Sequence, residues 1–175
     1  DTADLLKLIE DGAEMVIYEK LDGGNCAQKA EGVFARTHAT PTFCPTFNYV
    51  KSVYYSMLHH IIQKDNLVVF GENLFAIHAV EYTNLQDYFY AFNVQDRVTD
   101  FFYSHDQVTE WTEYHGVPMV PVVYEGKIES LKWLEQFLAN KIKEGSAFGG
   151  PCEGFVVRTR SGFHVDDFGS KVFKW

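Results

Sequence analysis

Apolar runs of strand length alternate with amphipathic stretches of helix length along this chain, and no strict strand–helix–strand rhythm orders them. Met15-Val16-Ile17, residues 67–70 and residues 88–94 read as strands, and residues 118–124 as a buried one. Thr2 is placed to cap a helix reaching Asp11, with Gly12 as its stop signal. Residues 48–64 read as a helix whose inward stripe is Val53, Met57 and Ile61. Ser104 opens a helix toward His115 that Gly116 ends, and residues 130–143 form another with Leu131, Leu134, Leu138 and Ile142 inward. Residues 25–28 and 33–36 make a hairpin around Ala30-Glu31-Gly32, residues 41–45 a loop, and residues 154–166 a second hairpin turning at Ser161-Gly162. This mixture favours an α+β fold with mostly antiparallel sheets flanked by helices.

At 175 residues, 46% of them apolar, the chain can bury one sizeable core, so a single domain spanning residues 1–175 is expected. Cys26, Cys44 and Cys152 form no Cys-x-x-Cys pair; they read as packing residues in a reducing compartment. No run of about 18 apolar residues and no leader pattern occurs, so a soluble, intracellular protein with no membrane partner is expected. The histidines show no ligand spacing, and neither a Gly-x-Ser-x-Gly elbow nor a phosphate-binding Gly-rich loop ending in Lys-Ser/Thr is present.

Tyr18-Glu19-Lys20-Leu21-Asp22-Gly23-Gly24-Asn25 comes directly after the first apolar run. It sets Lys20 at a strand end, with a tight Asp-Gly-Gly turn leading into the next strand. A lysine attacks phosphorus only as the neutral amine, which requires a pKa below the usual value of about 10.4, through burial or nearby cations. The Lys-x-Asp-Gly pattern is short, and its weight comes from the ordered series of segments downstream of it. These are Phe34-Ala35-Arg36-Thr37, Phe70-Gly71-Glu72, Tyr88-Phe89-Tyr90-Ala91-Phe92, Glu153-Gly154-Phe155-Val156-Val157-Arg158 and Lys171-Val172-Phe173-Lys174. Glu72 leaves an apolar strand beside a glycine that would let a ligand approach, Glu153 enters one after Gly149-Gly150-Pro151, and Arg158 and Arg160 share what reads as a solvated strand face.

The ordered set resembles the covalent nucleotidyltransferase superfamily of polynucleotide ligases and capping enzymes, most closely the ATP-dependent RNA ligases, from about Met15 to Lys174. The resemblance implies an ATP-grasp-like nucleotidyltransferase (adenylation) domain, excised from a longer protein, that forms a lysyl-AMP on Lys20 and seals a 5′-phosphate to a 3′-hydroxyl. It implies ATP and Mg2+ or Mn2+ as cofactors and RNA strand ends as partners. It places Glu19, Lys20, Leu21, Asn25, Arg36, Glu72, Phe92, Glu153 and Lys174 at the nucleotide, with Phe92 as the base-stacking ring and Tyr90 as the next candidate. Glu153 would hold the metal, with Asp22 acting through a water. Asparagine at position 25, where DNA ligases and capping enzymes often carry arginine, favours RNA. The family pattern sets two lysines one residue apart on a strand face to neutralise the α-phosphate. Lys171 and Lys174 are separated by two residues, so on a regular strand they would face opposite ways and only one can meet the phosphate unless a bulge intervenes, with Lys174, which follows Val172-Phe173, preferred over Lys171. A DNA ligase, a capping guanylyltransferase and a catalytically silent nucleotide-binding module of the same fold stand as alternatives.

The net charge of −9 opposes a surface coated for nucleic acid. Lys141, Lys143, Arg158, Arg160, Lys171 and Lys174 give the last third a more basic balance, and a missing flanking domain could supply further cations.

Overall fold

The computed structural model describes residues 1–36 and 38–175. Two antiparallel sheets face each other. The four-stranded sheet has the order β10-β8-β1-β7, with β1 at Glu14–Lys20, β7 at Val122–Lys127, β8 at Gly154–Thr159 and β10 at Val172–Lys174. The six-stranded sheet has the order β3-β2-β4-β5-β6-β9. Its strands are β2 (Gly24–Lys29), β3 (Gly32–Ala35), β4 (Leu67–Asn73), β5 (Phe89–Asp96), β6 (Phe101–Phe102) and β9 (Phe163–His164). The helices are α1 (Thr2–Glu10), α2 (Asn48–Val50), α3 (Ser56–Asp65), α4 (His105–His115), α5 (Leu131–Glu144) and α6 (Phe168–Lys171), and a π-helical stretch, Lys51–Tyr55, joins α2 to α3.

Strand period explains the layering. Met15 and Ile17 point outward into a cluster with Leu5 of α1 and Leu134 and Leu138 of α5, whereas Val16 and Tyr18 point inward to meet Tyr90 and Val120 between the sheets. On the far side, Val50, Tyr54, Leu58 and Ile62 cover Cys26, Val69, Phe89 and Ala91. No helix among the described residues is long and apolar enough to cross a membrane.

Several expectations need correction. Asp1, not Thr2, caps α1, its carboxylate accepting from the Ala3 N–H at 3.0 Å. The turn after Lys20 makes no hairpin, because β1 and β2 belong to different sheets, and the Ser161-Gly162 turn likewise passes from β8 to β9 in the other sheet. The stripe of Val53, Met57 and Ile61 is one position off: two i, i+4 apolar series run side by side, and the sheet takes the one holding Tyr54 and Leu58, leaving Met57 63% exposed. Residues 118–121 are a connector with prolines at both ends, which cannot donate to a ladder, and the next strand is an exposed edge. Ile142 lies on the exposed last turn of α5, and Cys44 is exposed while Cys26 and Cys152 are buried. Arg158 is buried, its guanidinium donating to the Tyr103, Thr159 and Ser161 carbonyls and to Asn93 Oδ1, while Arg160 is half-buried and paired with Asp106 and Glu125.

Candidate active site

Lys20 ends β1 on the face that carries Val16 and Tyr18, toward the six-stranded sheet. Its partner across the ladder is Gly154, which puts Glu153 beside it, and Lys20 Nζ donates to Glu153 Oε1 at 3.1 Å. Both side chains are about one-third exposed, so this pair stands at the mouth of the space between the sheets.

The opposite wall comes from β2, β4 and β5. Asn25 pairs with Glu72 and Glu72 with Tyr90, so the three share one face. Glu72 lies within β4 rather than beyond its end, and its Oε1 accepts from the Gly23 N–H at 3.2 Å. Burial pushes its carboxyl up to about 7; Glu153 and Asp22 add in the same direction, against the Gly23 N–H and the Lys20 cation. Gly71 does not leave room for a ligand. A Cβ there would meet the Phe89 ring at 2.4 Å and the Tyr90 carbonyl oxygen at 2.7 Å.

Asp22 is tied into the adjoining loop. Its N–H donates to the Tyr82 hydroxyl, and its Oδ2 accepts from the Val80 N–H, both at 2.7 Å. Leu21 is buried between the sheets. Glu19 points to the other side of β1, where its carboxylate accepts from the Ser146 hydroxyl and the Ala147 N–H. Arg36 is not on β3 but just past it, exposed in the left-handed region at φ 52°, with its N–H donating to the Asn25 carbonyl at 3.0 Å. Thr37 of the same motif lies outside the described residues.

Phe92 sits where the β4–β5 register slips: Ala91 pairs with Gly71 and Asn93 with Phe70, so Phe92 has no residue opposite it. It is half-buried and packs with Tyr90 in the cluster between the sheets. The two terminal lysines do not share a strand. Lys171 closes α6, whereas Lys174 lies in β10 opposite Val156, which in turn pairs with Tyr18, so Lys174 is on the Lys20 face.

The structure therefore gathers Lys20, Asp22, Glu72 and Glu153 from both sheets, lines Asn25, Phe92 and Lys174 along the facing walls, and turns the Glu19 side chain away. Asp22, Glu72 and Glu153 are oxygen donors of the kind a hard divalent cation takes, and the raised Glu72 pKa comes chiefly from burial, with the other two carboxylates adding to it.

One constellation had no sequence signal, because its members come from distant segments. His105, Asp106 and Glu125 offer ligand atoms within 4.8 Å of one another. Its polar groups are already engaged: the Tyr18 hydroxyl meets His105 Nδ1 at 2.7 Å, and Arg160 bridges Asp106 and Glu125 at 2.8 and 3.3 Å.

A family model described as RNA ligase matches residues 13–175. Among solved structures, an apo mutant of the Naegleria gruberi RNA ligase is similar with a TM-score of 0.65 and 20% identity, over 97% of this chain and 51% of that one. A mutant of the same ligase with ATP and Mn gives 0.60 and 19%, over 97% and 52%. An archaeal ATP-dependent RNA ligase gives 0.62 and 15%, over 87% and 42%. At these identities the likeness is one of fold, and the chain spans about half the length of the ligases it resembles. No curated protein matches it. With Lys20 and its acids set between two antiparallel sheets of the ligase nucleotidyltransferase fold, and with the family pattern matched from residue 13 to the last residue, the chain belongs to the RNA ligase family.

Proposed function

We propose that this chain is the adenylation domain of an ATP-dependent RNA ligase, with Lys20 as the nucleophile. The observation that carries the reading is the Lys20–Glu153 pair at 3.1 Å, set at the mouth of the intersheet space beside Glu72 and Asp22. The ATP and Mn in a matched ligase support the choice of donor and metal. Lys20 loses a proton before attack, and Glu153 Oε1, which already accepts its hydrogen bond, is an acceptor within reach. The Nζ–P bond to the α-phosphorus then forms as the bond to pyrophosphate breaks. A 5′-phosphate oxygen of RNA takes the AMP from Lys20, and a 3′-hydroxyl displaces AMP to close the strand.

Glu153, with Asp22 through a water, would hold Mg2+ or Mn2+, which when bound would neutralise charge on the triphosphate. Phe92 stacks on the adenine, Asn25 and Arg36 meet phosphate and sugar, Glu72 accepts from ribose hydroxyls, and Lys174 faces the α-phosphate. A flanking domain outside this chain shares the grip on RNA; the support is that the chain covers about half of each matched ligase.

Incubation with ATP labelled in the α-phosphate and a divalent cation tags the wild-type protein and leaves Lys20→Ala untagged. Labelling of Lys20→Ala at the wild-type level overturns the nucleophile assignment. Labelling by GTP in preference to ATP overturns the donor.

A further inference from the structure

With 15 lysines and arginines against 24 acids, this chain has little capacity to hold RNA by neutralising phosphates. Single-stranded nucleic acid can also be held by aromatic rings, because every base offers a π-face. Residues 74–88 run from β4, which carries Glu72, to β5, which carries Phe92, and the loop is closed by the Leu74 N–H donating to the Tyr88 carbonyl at 2.7 Å. Near its two ends Phe75 and Tyr88 stand 49% and 42% exposed, with ring centroids 5.5 Å apart.

Tyr49 of α2 backs both rings, lying 20° from parallel to Phe75 at 6.1 Å and edge-on to Tyr88 at 5.3 Å. Its hydroxyl donates to Asp87 at 2.8 Å, and Tyr54 donates to the same carboxylate. Asp87 thus anchors Tyr49, against which Phe75 and Tyr88 rest half-exposed with their planes 71° apart, so each offers its own surface to solvent, and Ile77, 71% exposed, extends the apolar surface. Beside them lies a cleft of about 320 Å3 that Phe75 and Tyr88 share with Asp22, so it reaches the turn that comes after Lys20. Asn73 ties the shelf to the strand of Glu72, its Oδ1 accepting from the Phe75 N–H at 3.2 Å.

We propose that Phe75 and Tyr88, backed by Tyr49, form a platform on which unpaired nucleobases of the RNA strand end stack as that end is brought to Lys20. The proposal rests on the RNA ligase reading for its partner, and adds how an acidic chain holds that partner. Contiguity with the Lys20 turn favours a substrate strand over a protein partner, and stacking with few phosphate contacts makes binding tolerant of sequence and shallow in its salt dependence.

A single-stranded, 5′-phosphorylated oligoribonucleotide with a terminal 2-aminopurine is titrated with the wild-type chain, Phe75→Ala, Phe75→Leu, Phe75→Trp and Tyr88→Ala. Wild type and Phe75→Trp quench the fluorophore; the other three bind roughly ten-fold more weakly, while lysyl-AMP formation from ATP is unchanged in all. Unaltered binding in Phe75→Ala and Tyr88→Ala overturns the platform, as does full binding by Phe75→Leu, equal affinity for a blunt duplex, or no RNA affinity in the wild type. A wild-type chain that binds and quenches this RNA yet takes no AMP from ATP overturns the adenylation reading and leaves the platform standing.

Discussion

Glu19 and Lys20 are adjacent in sequence and face opposite sides of β1. Lys20 meets Glu153 in the space between the sheets, while Glu19, 4% exposed, accepts from the Ser146 hydroxyl at 2.6 Å and the Ala147 N–H at 2.9 Å. The segment it holds carries Phe148, whose ring lies 4.7 Å from that of Tyr90 and whose carbonyl accepts from the Asn84 N–H at 2.8 Å. The residue before the proposed nucleophile thus supports a wall of the site from behind.

Removing that support has a measurable cost. Glu19→Ala deletes a buried charged acceptor and strands two donors, for a loss of about 2–3 kcal/mol, and Ser146→Ala loses about 1 kcal/mol. Urea midpoints compare the two, and an unshifted midpoint in Glu19→Ala removes the assigned role.

Glu72 makes stability depend on pH. Its carboxyl is raised from 4.5 to about 7, so between those values the folded chain binds a proton that the unfolded chain has released. Its stabilising contribution is full below about pH 4.5 and is lost as pH rises through about 7. Glu72→Gln therefore flattens the decline in unfolding free energy between about pH 5 and pH 8 relative to wild type. Parallel curves for the two proteins refute the assigned pKa.

Local chemistry was legible in the sequence; sheet membership was not. Ser104 and Gly116 bound α4 as expected, since an N-cap hydroxyl and a left-handed C-terminal glycine act within one turn. The Asp22-Gly23-Gly24 and Ser161-Gly162 turns are equally local, but turn residues specify a bend and not the strand that the chain joins next, and both turns lead into the opposite sheet. The order of motifs brought out Lys20, Glu72 and Glu153 without their geometry. It could not show that Glu19 turns away, or that Phe89 fills the space above Gly71, because each depends on a neighbour distant in sequence.

Arg158 shows the same limit and has its own test. Its guanidinium is held by three carbonyls and the Asn93 amide oxygen, bridging β8 to residues of β5 and the Tyr103 segment. Burial lowers its pKa, with the Tyr18 hydroxyl opposing that shift. A lysine cannot reproduce the planar fork, so Arg158→Lys loses about 2–4 kcal/mol and Arg158→Met at least as much. Thermal unfolding of both variants within about 1 °C of wild type would show that these contacts carry no net stability.

Phe89 and Phe92 separate packing from binding on a single strand. Phe89 is fully buried against Tyr54, with ring centroids 5.4 Å apart, and it fills the space beside Gly71, so Phe89→Ala opens a cavity and costs about 3–5 kcal/mol. Phe92, half-buried at the register slip and turned toward the other sheet, contributes less to the core and presents its ring on the Lys20 side. Phe92→Ala accordingly leaves most of the stability in place and raises the ATP concentration needed for half-maximal lysyl-AMP formation roughly ten-fold, the equivalent of one stacked base. Phe92→Tyr, which keeps the π-face, restores ATP use, and Phe92→Leu, which keeps only apolar bulk, does not. Equal ATP dependence in Phe92→Leu and wild type would return Phe92 to the core and leave the adenine without its stacking partner.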